Sequence, residues 1–510
     1  MYRQELIQQF VVTAAQMREI EGRVFAAGMP VAALMEKVAG LITRRIQEIY
    51  PPKGLAVGIL VGPGHNGGDA LVVARELHFR GAKVSIYSPF SKCKDLTENH
   101  ANYAKSLGIV FATKIQTILD NSQVIIDGLF GFGLERIIQD NIAADINQLN
   151  DCGKPILSID LPSGLHTDTG AVLGTAVKAN KTFCLGLWKL GLLQDQALDY
   201  IGEAELIDFD LPLTDITAVL GNSPNIKRVT REYAIAHLPL PRSPITYKYK
   251  EGHLLLICGS RRYAGGAILT ALGARASGVG MLSVAVPETL KSLLVAQVPE
   301  ALIIGCPETE TGAISHLPQE IDLNSYNAIV CGPGLTKDAT LVVEASLQAE
   351  KPLILDADGL NILADLGINF ILSQRKHPTI LTPHNGEFKR LFPDVLETNN
   401  RIDSIKKATE KSGAIVLLKG GRTIIASPTG LVWIIPESTP ALARGGSGDV
   451  LSGLLGGLIA SSVARNLPLE PMVSVAAWWH ANAGILRANK RTELGVDAFT
   501  LANTLLISLE

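Results

Sequence analysis

The stretch LAVGILVGPGHNGGDALVVARELHFRGAKVSIYS (55–88) decides the fold. Its apolar run at 55–62 is too short for a globular helix and reads as a strand buried on both faces. A glycine-rich turn follows. Residues 70–81 then carry a helical pattern closed by Gly81, and 83–88 are a second strand-like run. Strand, helix, strand at this spacing is a βαβ unit, so the expected class is α/β with mainly parallel sheets.

The same alternation extends outward. Upstream, Thr13 followed by Gln16 is a capping box that opens a helix through about residue 24, and 34–49 continue helically. Downstream, strands are expected at 123–127, 155–160, 182–187 and 205–209. The pattern restarts with GHLLLICGS (252–260), a helix over about 265–278, and strands at 281–286, 328–331, 352–356 and 379–382. A hairpin pattern at 414–436 and helices from Gly446 and near Met472 complete it. Between these halves, residues 210–252 are rich in proline and polar residues, which places a linker near 212–228. Two α/β domains are therefore expected, one on either side of this linker.

Composition agrees with two such domains. At roughly 150 residues per domain, 510 residues exceed one core, and 47% hydrophobic with 19% charged residues excludes disordered, collagen-like and coiled-coil chains. With 46 basic and 49 acidic side chains the formal charge is −3, so no global field would hold nucleic acid or an anionic membrane. The six cysteines include no CxxC pair and no nearby histidine at zinc spacing, so they are expected to be reduced thiols. The first residues lack the apolar core of a secretory signal, and no membrane span is expected anywhere; cytoplasmic location is the resulting expectation.

Three strand ends in the first half carry chemistry: GPGHNGGDA (62–70), VIIDGLFGFGLERI (124–137) and LSIDLPSGL (157–165). Ligands of open α/β sheets bind outside the carboxyl ends of the strands. Glycines allow a close backbone approach, and the free N–H groups of a helix start favour a phosphate. The glycine spacing is neither GxGxxG nor GxxxxGK[ST]. Asp127 and Asp160 each close an apolar strand. Alone, either would serve as a cap or turn residue, but the three ends together point to a site.

These motifs, preceded by GMPVAALMEKVAG (28–40), resemble the YjeF-type N-terminal domain of NAD(P)HX epimerases. The resemblance covers about residues 10–218, leaving about 229–506 for a second three-layer αβα domain, and implies a Rossmann-like three-layer αβα sandwich that interconverts the R and S forms of hydrated NADH or NADPH. It implies a substrate-binding loop at His65, Asn66, Gly67, Gly68 and Asp69, and a second at Gly131, Phe132, Gly133, Leu134, Glu135, Arg136 and Ile137. Asp160 would touch substrate and move the proton, while Asn66, Asp127 and Ser163, all oxygen donors, would bind a potassium ion (K+). His65 and Ala70 depart from the family's usual NNGGDG.

In the second half, ARGGSGDVLSGLLGGLIA (443–460) runs a glycine turn into a helix. Backbone N–H groups of Gly446, Ser447 and Gly448 could form a hole for a transferring phosphoryl group, and Asp449 in the first turn could take a proton from an attacking hydroxyl. Lys419 in KGGRTIIASPTG (419–430) could meet a nucleotide phosphate, and TPHNGEFKRL (382–391) puts His384 and Glu387 beside another strand end.

With GSRRYAGGAIL (259–269), CGPGL (331–335) and LDADGLN (355–361), these motifs resemble the ribokinase-like domain of ADP/ATP-dependent NAD(P)HX dehydratases. That implies substrate contacts from Ala267, Gly334, His384 and Asp449, and nucleotide contacts from Lys419, Gly420, Gly421, Arg422, Thr423 and Gly448, with Mg2+ on the nucleotide. Gly421 and Ser447 stand where the family often has Ala and Thr. The function implied is bifunctional repair of hydrated NAD(P)H, using ADP or ATP, by a homo-oligomer. Two other readings use the same residues. One is a small-molecule kinase acting on a vitamin precursor or sugar; in the other the N-terminal half is a non-catalytic binding module.

Overall fold

The computed structural model of the chain describes residues 3–395 and 400–509, and its contacts divide it into two compact units, Met1–Pro224 and Asn225–Glu510. In the first unit seven strands form one parallel sheet: β1 (Ala56–Val61), β2 (Lys83–Tyr87), β3 (Val110–Ala112), β4 (Val124–Gly128), β5 (Ile156–Ile159), β6 (Lys181–Leu185) and β7 (Glu203–Ile207). Their order is β3-β2-β1-β4-β5-β6-β7, so the chain reverses direction across the sheet between β1 and β4 and opens a crevice at their carboxyl ends. Side chains alternate between the faces. Val57, Ile59 and Ile126 pack with Met17, Ile42 and Leu71 on one side, while Leu60, Ile125 and Ile156 meet Ile118 and Leu149 on the other. Each such fully buried aliphatic contributes about 1.5–3 kcal/mol relative to exposure.

The second unit contains a ten-stranded sheet: β8 (Ile226–Arg228), β9 (His253–Ile257), β10 (Met281–Pro287), β11 (Leu302–Cys306), β12 (Ala328–Cys331), β13 (Leu353–Leu355), β14 (Thr379–Leu381), β15 (Ile415–Leu418), β16 (Ile424–Ala426) and β17 (Val432–Ile434). The order is β8-β17-β16-β15-β14-β13-β12-β9-β10-β11, with the reversal between β9 and β12. Only β16 runs against its neighbours. Leu254, Leu256 and Val330 face a core that includes Leu454, Leu458 and Trp479, and Leu255, Ile257, Ile329 and Leu355 are equally buried.

Three expectations are corrected. The helix expected at 70–81 spans His65–Phe79, because Gly67 and Gly68 are helical: a Cβ at Gly67 would strike the carbonyl of Gly62, and one at Gly68 would lie 2.6 Å from Met35 Cε. Close packing outweighs the cost of helical glycine, about 1 kcal/mol each. The division at Pro224–Asn225 falls within the expected 212–228, but that segment is not a bare linker: it holds a helix, Leu213–Leu220, and strand β8, because its apolar residues find partners, Ile216 being buried and β8 pairing with β17. The hairpin pattern at 414–436 is a three-stranded antiparallel meander. Among the described residues one helix, Ser447–Ala464, is by length and composition long and apolar enough to cross a membrane, but 78% of it is buried in the protein. It is apolar all round because it is a core helix.

Candidate active sites

In the first unit the carboxyl ends of β1, β4 and β5 open onto a cavity of about 650 Å³. Helix His65–Phe79 starts there on Gly64 with no side-chain cap, so its first N–H groups are available to an anion. His65, Asn66, Asp69, Gly131, Phe132, Gly133, Leu134, Arg136 and Asp160 line the cavity. Gly67 and Gly68 do not, being buried at packing contacts, and Glu135 and Ile137 are exposed outside it. Burial, then Lys94, lowers the His65 pKa.

Asp160 follows β5 with a left-handed backbone (φ 69°), a conformation that a non-glycine residue adopts at a cost. Its carboxylate is fully engaged. Phe132 N–H donates to it at 2.8 Å and Leu185 N–H at 3.4 Å, and Lys189 Nζ lies 2.5 Å away. Lys189 has no exposed surface; burial would discharge it, but Asp160 above all holds its pKa up. Two more carboxyls share the cavity. Glu21, on the helix Ala14–Ala26, is pushed up to about 7 by burial, which with nearby Asp160 outweighs the pull of Lys189. Asp69 is pushed well up by desolvation, then by Asp160 and Glu21.

Asp127, with no exposure, accepts from Leu129 N–H, Ser158 Oγ, Ser163 N–H and Ser163 Oγ at 2.6–3.2 Å. Its partners are hydroxyls and amides, and burial pushes its pKa up against those bonds. The buried Asn66 Nδ2 has no hydrogen-bond partner.

In the second unit the ends of β9, β12, β13, β14 and β15 converge on the start of helix Ser447–Ala464. That helix begins on Gly446 (φ 90°), again with no side-chain cap. Gly448 leaves room beside Lys419: a Cβ there would lie 3.5 Å from Lys419 Nζ and 3.9 Å from Asp356 Oδ2. Asp449 Oδ2 lies 3.5 Å from a Cβ placed on Gly266, and Gly266 itself abuts Gly334 (φ 66°). The Asp449 carboxyl is pushed up to about 7 by burial first and Asp356 second, against Lys419.

Asp356, 2% exposed, accepts from Lys419 Nζ at 2.8 Å and Ser452 Oγ at 2.6 Å. Burial would raise its pKa, but Lys419 holds it below the usual range. His384 caps the helix Asn385–Leu391, its Nδ1 accepting from Gly386 and Glu387 N–H, and leaves the ring largely exposed. Ala267 is buried behind Gly259. Gly420 and Gly421 are exposed; Arg422 lines a second cavity of about 800 Å³ with Glu437, Thr439 and Asn489, and Thr423 accepts from Ile435 N–H. The carbonyl of Ser447 lies 2.9 Å from Nε2 of buried His480, whose pKa burial lowers to about 4.

Sequence reasoning missed Glu21, Lys189 and Asp356 as site residues. Lys189 carried a signal, as the single charge in the apolar run LGLWKLGLL (185–193). Asp356 ends an apolar strand as Asp160 does. Glu21, in REIEGR (18–23), reads as part of a solvated helix face.

Two family models match the chain: YjeF-related protein N-terminus over residues 31–191 and NAD(P)H-hydrate dehydratase over 254–506. A protein of Synechocystis sp. described as a bifunctional NAD(P)H-hydrate repair enzyme is 52% identical, over 97% of this chain and 94% of its own. Its counterpart in Thermosynechococcus vestitus is 50% identical, over 95% and 94%. Among solved structures, the ADP/ATP-dependent NAD(P)H-hydrate dehydratase of Bacillus subtilis, co-crystallised with ATP and Mg2+, is 31% identical with a TM-score of 0.47, over 55% of this chain and 96% of that one. The chain belongs to the family of bifunctional NAD(P)H-hydrate repair enzymes.

Proposed function

We propose that residues 10–218 epimerise hydrated NADH and NADPH and that residues 229–506 dehydrate the S form at the expense of ADP or ATP. The observation that carries the reading is Asp449 in the first turn of an uncapped helix, with Lys419 beside the same turn. Hydroxide is a poor leaving group at neutral pH and phosphate is a good one. Asp449 takes the proton of the substrate hydroxyl, whose oxygen attacks the terminal phosphoryl group of the nucleotide, releasing AMP or ADP. The helix N–H groups and Lys419 hold the phosphoryl oxygens. Phosphate then leaves with the C–O electron pair as the ring nitrogen donates its own. The neighbouring ring carbon loses a proton, and the nicotinamide double bond is restored. Mg2+ bound with the nucleotide neutralises its phosphates; among the described residues no cluster of three acidic, His or Cys side chains is placed to hold a metal.

A monovalent cation suits the first unit. Asn66 Oδ1, the Asp127 carboxylate and Ser163 Oγ can each offer an oxygen, and the Asp127 carboxylate is buried among neutral donors. K+ would supply a positive charge there, held by oxygens of Asn66, Asp127 and Ser163.

The reading is tested by giving the purified chain mixed R and S hydrated NADH with ADP or ATP and Mg2+, following the reduced-nicotinamide absorbance and phosphate. Full conversion with matching phosphate is expected. Recovery of the S fraction alone, beyond spontaneous epimerisation, would contradict the N-terminal assignment. A stable phosphorylated product without NADH would point to a small-molecule kinase.

A further inference from the structure

We propose that Glu21 is the catalytic proton carrier of the N-terminal cavity, and that Asp160, held by Lys189, positions it; this rests on the epimerase reading above. The Asp160 oxygens already have partners. Asp160 accepts from two backbone N–H groups and pairs with a lysine that has no exposed surface, on a backbone fixed in the left-handed region. Glu21 lines the same cavity, and among the described residues no hydrogen bond or ion pair engages its carboxyl. It is therefore free to meet a ligand.

Its surroundings suit the task. Asp160 opposes its ionisation and Lys189 favours it, while Asp69, itself pushed well up by burial, Asp160 and Glu21, and Arg18, His65, Lys94 and Arg136 complete the titratable lining. Burial outweighs the lysine, so the carboxyl changes state near neutral pH, where a group that must both give and take a proton works best.

The step balances. The bond between the ring carbon and its hydroxyl oxygen breaks, the oxygen keeps the electron pair, takes the Glu21 proton and leaves as water. The ring nitrogen lone pair closes a C=N bond. Water then adds to that carbon from the other face, the nitrogen recovers its pair, and the proton returns to the Glu21 carboxylate. Nothing is consumed.

The test follows interconversion of separated R and S hydrated NADH by the full-length chain without nucleotide, from pH 5 to 9, with the buffer rate subtracted. As an acid in the first step, Glu21 makes the catalysed rate fall as pH rises through about 7. In E21Q the rate is expected to drop by about 10²–10⁴-fold, with KM retained and the pH step gone. E21D should keep a slower rate and the step, which separates loss of chemistry from loss of fold. D160N should be slower but keep the step, moved to lower pH because Asp160 raises the Glu21 pKa. Wild-type rate in E21Q, a persisting step in E21Q, or loss of the step in D160N with its retention in E21Q would overturn the proposal. No catalysed interconversion by the wild type would overturn the epimerase reading itself.

Discussion

The two sites repeat one electrostatic arrangement on different backbones. Each has a buried Asp–Lys pair, Asp160 with Lys189 and Asp356 with Lys419, and each has a second carboxyl, Glu21 or Asp449, pushed up to about 7 by burial and by the paired aspartate. Each paired aspartate also lies at or next to a non-glycine residue of positive φ, Asp160 itself and Ala357 after Asp356. The difference lies in the helix that carries the second carboxyl. Asp449 stands in the open N-terminus of its helix, where N–H groups await an anion. Glu21 lies within a helix whose start is closed by the Thr13–Gln16 capping box, while the open helix end of that cavity is at Gly64. Where base and anion hole coincide, phosphoryl transfer is possible. Where they are apart, an anionic group can anchor the substrate while the carboxyl only moves protons.

The largest expected effect separates the sites. Asp449→Asn should lower nucleotide-dependent NADH formation by about 10²–10⁴-fold while R and S forms still interconvert, as nicotinamide absorbance and separation of the epimers would record. Lys419→Met should strand the buried Asp356 charge and lower stability by about 3–5 kcal/mol in denaturant unfolding. Lys419 pulls the Asp449 pKa down, so its loss should also move the rise of dehydration with pH upward.

A smaller effect concerns stability. Folding raises the pKa of Glu21 and of Asp449, so the folded state holds those protons more tightly than the unfolded chain. Their contribution is fully present below the ordinary carboxylate range and is lost as pH rises through about 7. E21Q and D449N should each therefore melt a few degrees higher than the wild type at pH 8, but not at pH 3.5. Thr13→Ala should show the least, about 1 kcal/mol lost from the helix that carries Glu21, seen in thermal melting.

Much of this was legible in the sequence, for reasons that particular residues show. Strands announced themselves through apolar runs such as 55–62 and 328–331, and the glycine turns marked both crevices. Asp160 and Asp449 were visible because each acid follows an apolar strand or opens a glycine-started helix. Gly67 and Gly68 misled about where their helix begins, since the contacts that require glycine there come from Gly62 and Met35, distant or folded back in ways periodicity does not encode. Glu21 was hidden for a related reason. Its helix carries Arg18, Glu19 and Arg23 around it, and only the tertiary fold brings it to Lys189 and Asp160.

On this reading both units work through a carboxyl tuned to neutrality, used first as an acid in one and as a base in the other. The most direct test measures both reactions of one preparation against pH. Epimerisation is predicted to fall and dehydration of purified S form to rise as pH passes through about 7. Two profiles that are flat across that range, or that move in the same direction, would contradict it.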